Sequence, residues 1–352
     1  MKIFQPTFFS ALTMFFFLSH CRSIDPQVYE PIQKPKLEGV LAPNDKLRTS
    51  TLLAKGKVNG LESLDVDKYG NVFGGDKEGQ ILKVTPLGEI TVLTNTGGRP
   101  LGVQFDSEGN LIIADAYKGL LRLTPKNELQ TLVSEFEGKP FRFTDDLDIG
   151  RDGKIYFSDA SIYIQSEYLF DLLEAKPHGR VFVYDPKTKS TNLLLDGLYF
   201  ANGIALSKNE DFLLINETYR YRITKLWLKG PKKGSREDFI SNLPGFPDNI
   251  TRSPSGDFWL ALFTVRNDRM DSLHPSPFLK KLIANLPKMF WPKPEPYGFA
   301  ILLNEQGEIL QTLQDPGGLE LREVTSAIQK GDNLYIGSLY HDRIGIYDLK
   351  GK

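Results

Sequence analysis

One phrase recurs six times from residue 61 onward, and no other feature limits the possible folds as much. Alternating apolar residues run into a polar turn, usually with a glycine, and out into a second apolar run. The copies are LESLDVDKYGNVFGGD, PLGVQFDSEGNLIIAD, DDLDIGRDGKIYFSD, ANGIALSKNEDFLLINE, DNITRSPSGDFWLAL and TSAIQKGDNLYIGS. Successive side chains of a strand point to opposite faces, so period-two alternation on both sides of a turn marks a β-hairpin. A second strand pair follows, as in QILKVTPLGEITVLT, LLRLTPKNELQTLV and RVFVYDPKTKSTNLLL. Four antiparallel strands in a unit of about 40 residues or more are the mark of a β-propeller blade. The expected fold is therefore all-β: a six-bladed β-propeller with four antiparallel strands per blade. The sixth copy lacks an outermost strand before the chain ends at Lys352, and TSTLLAK at 49–55 has the pattern to supply it. Closing the ring with this N-terminal strand hides edges that would otherwise stay unpaired.

The remaining length divides around that domain. Lys2 precedes Phe8 to Leu18, an apolar run of the size of a secretion signal's core and too short to span a bilayer. Cys21, the single cysteine, follows in FFFLSHCRS, a pattern similar to a bacterial lipoprotein signal in which the cysteine is lipidated. His20 departs from the small residue usual before that cysteine, and a plain secretion signal is the alternative. Residues 1–21 are thus expected to be a signal segment, 22–48, with Pro26, Pro31, Pro35 and Pro43, a proline-rich tether, and 49–352 the propeller. The expected location is outside the cytoplasm, as a membrane-anchored lipoprotein of the bacterial envelope, periplasmic or surface-facing.

Helical insertions interrupt blades three and five, near 161–178 and 264–297. In the second, Leu279, Leu282, Ile283 and Leu286 share helical spacing. That stripe packs on the propeller, forms a lid, or touches a membrane. Charge narrows the partners. With 43 basic and 44 acidic residues the net charge is −1, which gives no long-range field for nucleic acid. One cysteine excludes an internal disulfide and a Cys-based metal knuckle.

Aligning the repeats on Gly70, Gly109, Gly153, Glu210, Gly256 and Asp332 places Glu62, Leu101, Asp145, Asn202, Asp248 and Val324 eight residues earlier. Each starts an innermost strand, so the six converge on the central channel from one face. Asp146 and Asn249 adjoin the ring. Carboxylates and carboxamides crowded together repel and are poorly solvated unless a cation lies among them. Oxygen ligands without Cys or His suit Ca²⁺, which accepts loose six- to eight-fold coordination. A calcium ion on the axis is expected; a wet channel lined by water-bonded groups is the alternative. Six residues after each turn stand Asp76, Asp115, Asp159, Asn216, Leu262 and Ser338, with Glu217 adjoining. These supply a general base, support for the metal ligands, or caps for strand ends.

The stretches DDLDIGRDGKIYFSDAS, GRVFVYDPKTKSTNLLLDGLYFANGIALS, YRITKLWLKGPKKG and NLPGFPDNITRSPSGDFWLAL resemble the strictosidine synthase-like family, which is related to paraoxonases and the gluconolactonase group. GRPLG, containing Arg99, and LYIGSL also fit. The resemblance implies a six-bladed propeller with an axial ligand site, and calcium ligands mapping to Glu62, Asp145, Asn202, Asp248 and Asn249. Asp145 fills a slot that is usually Asn. The paraoxonase histidine pair has no counterpart here, and the blade-six glutamate of plant strictosidine synthases falls near Thr325, with Glu323 two residues away.

A calcium-dependent hydrolase of lactones or aryl esters is the leading expectation. Asp115 would act as base, while Arg99, Asp146, Asp159, Asn216, Glu217 and Glu323 would line or support the pocket. A non-catalytic, membrane-tethered propeller that binds a ligand or partner is the second expectation, and amine–aldehyde condensation of the strictosidine synthase type the third. The expected partners are a small ester or lactone and a lipid membrane met through the N-terminal anchor.

Overall fold

The turns of the first two blades are built the same way. In blade one, Asp67 Oδ1 accepts the backbone N–H groups of Tyr69 and Asn71, both at 2.9 Å. Asp106 Oδ1 does the same for Glu108 and Asn110 in blade two, again at 2.9 Å. The side chain thus satisfies amides that the ladder cannot reach, and the turn closes on Gly70 and Gly109 at φ 81° and 82°, where a Cβ is strained.

These hairpins stack into six four-stranded antiparallel sheets in a computed structural model that describes residues 24–351. The innermost strands are Leu64–Val66, Pro100–Phe105, Thr144–Ile149, Ala201–Leu206, Gly245–Arg252 and Val324–Lys330. In blade six, Thr51–Leu53 pairs antiparallel with Ile344–Asp348, with Thr51 opposite Ile346 and Leu53 opposite Ile344. Apolar side chains of neighbouring blades interdigitate. Ile112, Ala114 and Leu120 of blade two, for example, share one cluster with Phe157 and Phe182 of blade three, within which Phe157 stacks on Phe182 at 5.4 Å and Phe141 is edge-on to both.

The stretch expected to be a proline-rich tether is instead a docked strap, as far as it is described. Ile24 is 2 % exposed and Leu47 fully buried. Backbone groups along it find partners on the propeller: Gln27 N–H donates to Glu174 O at 2.8 Å and Tyr29 N–H to His274 O at 3.2 Å. Arg266 donates to Ile32 O at 2.7 Å, and Asn242 to Gln33 O at 3.0 Å. The prolines leave an extended chain with few donors of its own to satisfy. Spaced apolar residues between them give it a face to bury, so it lies down rather than floating free. The signal segment, including Cys21, lies outside the described residues.

Both insertions fall between the second and third strands of their blades, hence on the face where the innermost strands begin. The first carries α1 (Tyr168–Glu174) and the second α2 (Asp268–Leu273) and α3 (Pro277–Ala284), with a 3₁₀ turn at Lys288–Phe290. Asn267 caps α2 by accepting Met270 N–H at 2.8 Å, and Ser276 caps α3, whose first residue is Pro277. No described helix is long and apolar enough to cross a membrane.

Candidate functional site

The channel ring owes its geometry to a shared irregularity. Register slips between Pro100 and Gly102, Thr144 and Leu147, Ala201 and Ile204, Pro247 and Ile250, and Val324 and Ser326 put a bulge in the innermost strand of blades two to six. A bulge re-aims side chains that a regular strand would alternate between faces. It turns Asp145 and Asp146, and likewise Asp248 and Asn249, toward buried surroundings together; all four are at most 7 % exposed. In blades two and four the second bulge residue is a glycine. A Cβ on Gly203 would collide with Asn249 Cα and lie 2.5 Å from Asp248 O, and one on Gly102 would lie 2.9 Å from Asp145 O. Asn202-Gly203 is therefore a seat for the next blade's bulge, although its bare sequence reads as a tight turn.

The bulges also correct the alignment of blade six. Its hairpin turns at Gly331 and pairs Lys330 directly with Asn333, one residue tighter than the others, so Thr325 rather than Val324 follows the last regular pair. Thr325 and Ser326 hydroxyls both donate to Glu62 O, at 2.6 and 2.8 Å, and hold the blade-one residue in place. In blade four the hairpin is one residue longer, and Glu217 rather than Asn216 faces Ala201.

Glu62, Asp145, Asn202 and Asp248 meet at the floor of one pocket. Their electrostatics are those of acids removed from water. Burial pushes the Glu62 carboxyl up to about 7, against hydrogen bonds from Asp248 and Asn249 and the nearby Arg99. Burial, then the charges of Glu62 and Asp145, raises Asp248 well above the carboxylate range. Asp145 is raised by burial and by Glu62, Asp146 and Asp159, and Asp146 by burial and Glu62. Crowded together out of water, these acids oppose one another's ionisation unless a positive charge lies among them.

Support comes from several of the expected residues. Asn249 donates to Glu62 Oε1 at 3.1 Å. Asp146 Oδ2 accepts Ile204 N–H at 3.0 Å, tying blade three to blade four. The Asn216 amide donates to Asp248 O. Arg99, 4 % exposed, donates to Gly60 O at 3.0 Å and Pro100 O at 3.3 Å, fixing the entry to blade one.

Asp115 stands elsewhere. Its Oδ1 receives the N–H groups of Arg99, Tyr117 and Lys118 at 3.0, 3.0 and 3.1 Å, and it does not line the pocket. This is the geometry of a loop cap, not of a base facing substrate. Asp76 caps Glu78 and Gln80, and Asp159 caps Arg142 and Phe143 while pairing with Arg180 at 2.5 Å. Glu217 is spent on Arg222 (2.8 Å), Thr224 (2.5 Å) and Tyr199 N–H (2.9 Å). Glu323 lies outside the pocket lining, so a blade-six carboxylate for condensation chemistry is not placed at this floor.

Above the floor the walls are apolar and aromatic, which the repeat alignment does not signal because they come from the blade connections and insertions. Phe143 meets Phe200 edge-on at 5.2 Å, and Phe200 packs on Tyr219 at 4.4 Å. Phe246, Leu172 from α1 and Met270 from α2 continue the wall, and Pro292, Lys293 and Pro294 reach its rim. The cavity, its open mouth included, is about 860 Å³.

The donor set can be tested against a cation by its orphaned atoms. Glu62 Oε2, Asn202 Oδ1, Asp248 Oδ1 and Asn249 Oδ1 are buried without a hydrogen-bond partner. Such atoms cost free energy unless something electropositive meets them. All are hard oxygens, the chemistry of Ca²⁺ rather than of zinc or copper. Among the described residues no three carboxylate, His or Cys groups close to metal-binding spacing by themselves. A cation here would lean on the amide oxygens as much as on the carboxylates, and with them the set fits.

Comparison with known proteins bears on this reading. The strictosidine synthase family model matches residues 145–231 and the strictosidine synthase-like N-terminal model residues 39–84. The adipocyte plasma membrane-associated protein of Rattus norvegicus is 37 % identical over 343 residues, covering 90 % of each chain. Strictosidine synthase-like protein 10 of Arabidopsis thaliana is 41 % identical over 267 residues, covering 73 % of this chain and 71 % of its own. Solved structures share the fold: a gluconolactonase from Xanthomonas campestris (TM-score 0.63, 17 % identity, 85 % of this chain and 89 % of that one) and a calcium-binding regucalcin from Agrobacterium tumefaciens (0.60, 14 %, 86 % and 95 %). The extensive matches to animal and plant proteins overturn the expected bacterial envelope lipoprotein, which rested on one cysteine after an apolar run. Matched over nine-tenths of its length, the chain belongs to the strictosidine synthase-like family of six-bladed propellers, together with the adipocyte plasma membrane-associated proteins.

Proposed function

We propose that this propeller is a calcium-dependent hydrolase of apolar lactones or aryl esters. The observation that carries the proposal is the set of four orphaned buried oxygens, on Glu62, Asn202, Asp248 and Asn249, beneath an aromatic-walled pocket. Together with Asp145 these residues would hold the ion. Calcium, when bound, supplies a positive charge that polarises a substrate carbonyl and offsets charge growing on its oxygen.

The chain's own residues do the rest. Phe143, Phe200, Tyr219 and Phe246 hold an apolar acyl or aryl group and exclude bulk water, which strengthens every charge interaction at the floor. Any carboxylate that takes a proton from the attacking water must stand on that floor, where Glu62, Asp145 and Asp248 are, and Asp115 is not. Full-length protein should hydrolyse phenyl acetate and a simple lactone, and lose turnover on calcium chelation. Activity indifferent to chelator rejects the proposal.

A binding role with calcium as a structural ion is the second reading, favoured by a lining without His, Ser or Cys. It predicts a calcium-dependent rise in melting temperature with no turnover over a panel of esters and lactones. That the apolar run Phe8 to Leu18 brings the chain to a lipid membrane belongs to the same proposal.

A further inference from the structure

Helix α3 is amphipathic in the wrong sense for a helix packed on a domain. Its buried side chains are Lys280, fully covered, and Ala284. Its outer side presents Phe278 at 75 % exposure, Leu279 at 40 % and Leu282 at 50 %, and the turn after it adds Met289 at 73 % and Phe290 at 62 %. Lys280 faces inward because the strap gives its ammonium a partner in Gln27 O. The outward apolar residues have no such local reason. Contiguous exposed apolar surface of this kind marks an interaction site on a protein that is otherwise well packed.

Charge selects the occupant. From Pro275 to Pro294 the sequence contains Lys280, Lys281, Lys288 and Lys293 and not one acidic residue. A second copy of this chain, meeting the patch through a two-fold axis, would bring like charges together. A bilayer with anionic headgroups does the opposite: it takes the apolar side chains among the upper acyl carbons and leaves exposed Lys281, Lys288 and Lys293 at the phosphate level. The chain's course agrees, since the strap that begins the described residues runs against α3 at Gln27 and is preceded by the apolar run Phe8 to Leu18.

We propose that the outer face of α3 and the Lys288–Phe290 turn docks on an anionic lipid surface. Because Pro292, Lys293 and Pro294 form the rim of the pocket, docking puts the pocket mouth at the lipid interface. Apolar molecules dissolved in the bilayer then reach the aromatic walls without crossing bulk water. The inference does not depend on whether the pocket catalyses hydrolysis.

The test uses the full chain with Cys21→Ser and one new cysteine carrying an environment-sensitive dye. The dye is placed at Met289 in one protein and, on the opposite face of the propeller, at Tyr69 in another. With vesicles of phosphatidylcholine and phosphatidylserine, the dye at 289 should shift to the blue and brighten, and the dye at 69 should not change. Phe278→Ser with Phe290→Ser, both exposed and so neutral to folding, should cut the inserted fraction about tenfold or more. Lys281→Glu with Lys288→Glu should also lower it, and more at low salt. A dye at 289 that stays in water with these vesicles overturns the proposal. So does an equal response to phosphatidylcholine alone, or a blue shift without vesicles as protein concentration rises, which would identify a second copy as the occupant.

Discussion

Replacing Asn202 by alanine separates a ligand from a turn residue. Asn202 Oδ1 is buried without a partner, so removing it leaves no new unsatisfied group, and metal-free stability should change little. The difference should appear only with calcium. At a free concentration of about 100 times the dissociation constant, a ligand bound only by the native state stabilises it by about 2.7 kcal/mol. If losing one oxygen weakens binding by about 10- to 100-fold, the same calcium gives the variant about 1.4 to 0.4 kcal/mol. For a chain of 352 residues the unfolding entropy is about 0.7 kcal/mol per kelvin. Wild type should therefore melt about 4 °C higher with calcium, and Asn202→Ala only about 0.5 to 2 °C higher. Differential scanning fluorimetry at matched calcium, with magnesium as control, reads this directly. Equal calcium-induced shifts in the two proteins, with equal metal-free melting, would refute the ligand assignment.

Gly203→Ala adds a methyl group against Asp248 and Asn249; it should cost about 1–3 kcal/mol in denaturant unfolding and abolish the calcium shift although Gly203 offers no ligand side chain. Asp171 is fully buried, accepts the Ser161 hydroxyl, and is pushed up to about 8 by burial. A proton held to pH 8 in the native state but released near 4 when unfolded stabilises the protein fully below about pH 4. That contribution is lost as pH rises toward 8. Asp171→Asn should thus flatten the fall in melting temperature between pH 5 and 8, and parallel wild-type and variant curves would count against it. Arg266 joins Ile32 O, Asn242 and Asp271 and covers the Tyr221 ring. Arg266→Ala should cost about 3 kcal/mol and open the strap to protease near residue 33, whereas intact resistance would show that the strap holds without it. If the pocket hydrolyses esters, Asp248→Asn should abolish turnover and Asp115→Asn should spare it per folded molecule; the reverse would restore Asp115 as the base.

The fold was legible because a propeller repeats its signal, alternating apolar runs on both sides of a polar turn, and in blades one and two the Asp-x-x-Gly-Asn turn also closes the hairpin by its own hydrogen bonds. Glu62, Asp145, Asn202 and Asp248 could be brought together by counting back from those turns, since the channel position is set by register. Counting failed where hairpin length changed, at Thr325 in blade six and Glu217 in blade four. Bulges leave no local mark in sequence, so the paired orientation of Asp248 and Asn249 was visible only as adjacency. The strap was misread because prolines and weak periodicity describe its conformation, whereas Ile24 and Leu47 are buried by partners far along the chain. The same holds for α3, where helical spacing located an apolar stripe but could not say which side of the helix faced the protein.

Thr51–Leu53 pairs with Ile344–Asp348, the last strand among the described residues. During synthesis that partner is made only after the strands of the other five blades, so those five exist before the ring can close. Through that interval the first-made closing strand and the exposed flank of blade one are open to wrong pairings. A shortened C-terminus should on this account behave as a protein halted before its last step, prone to join with its neighbours, rather than as a five-bladed ring.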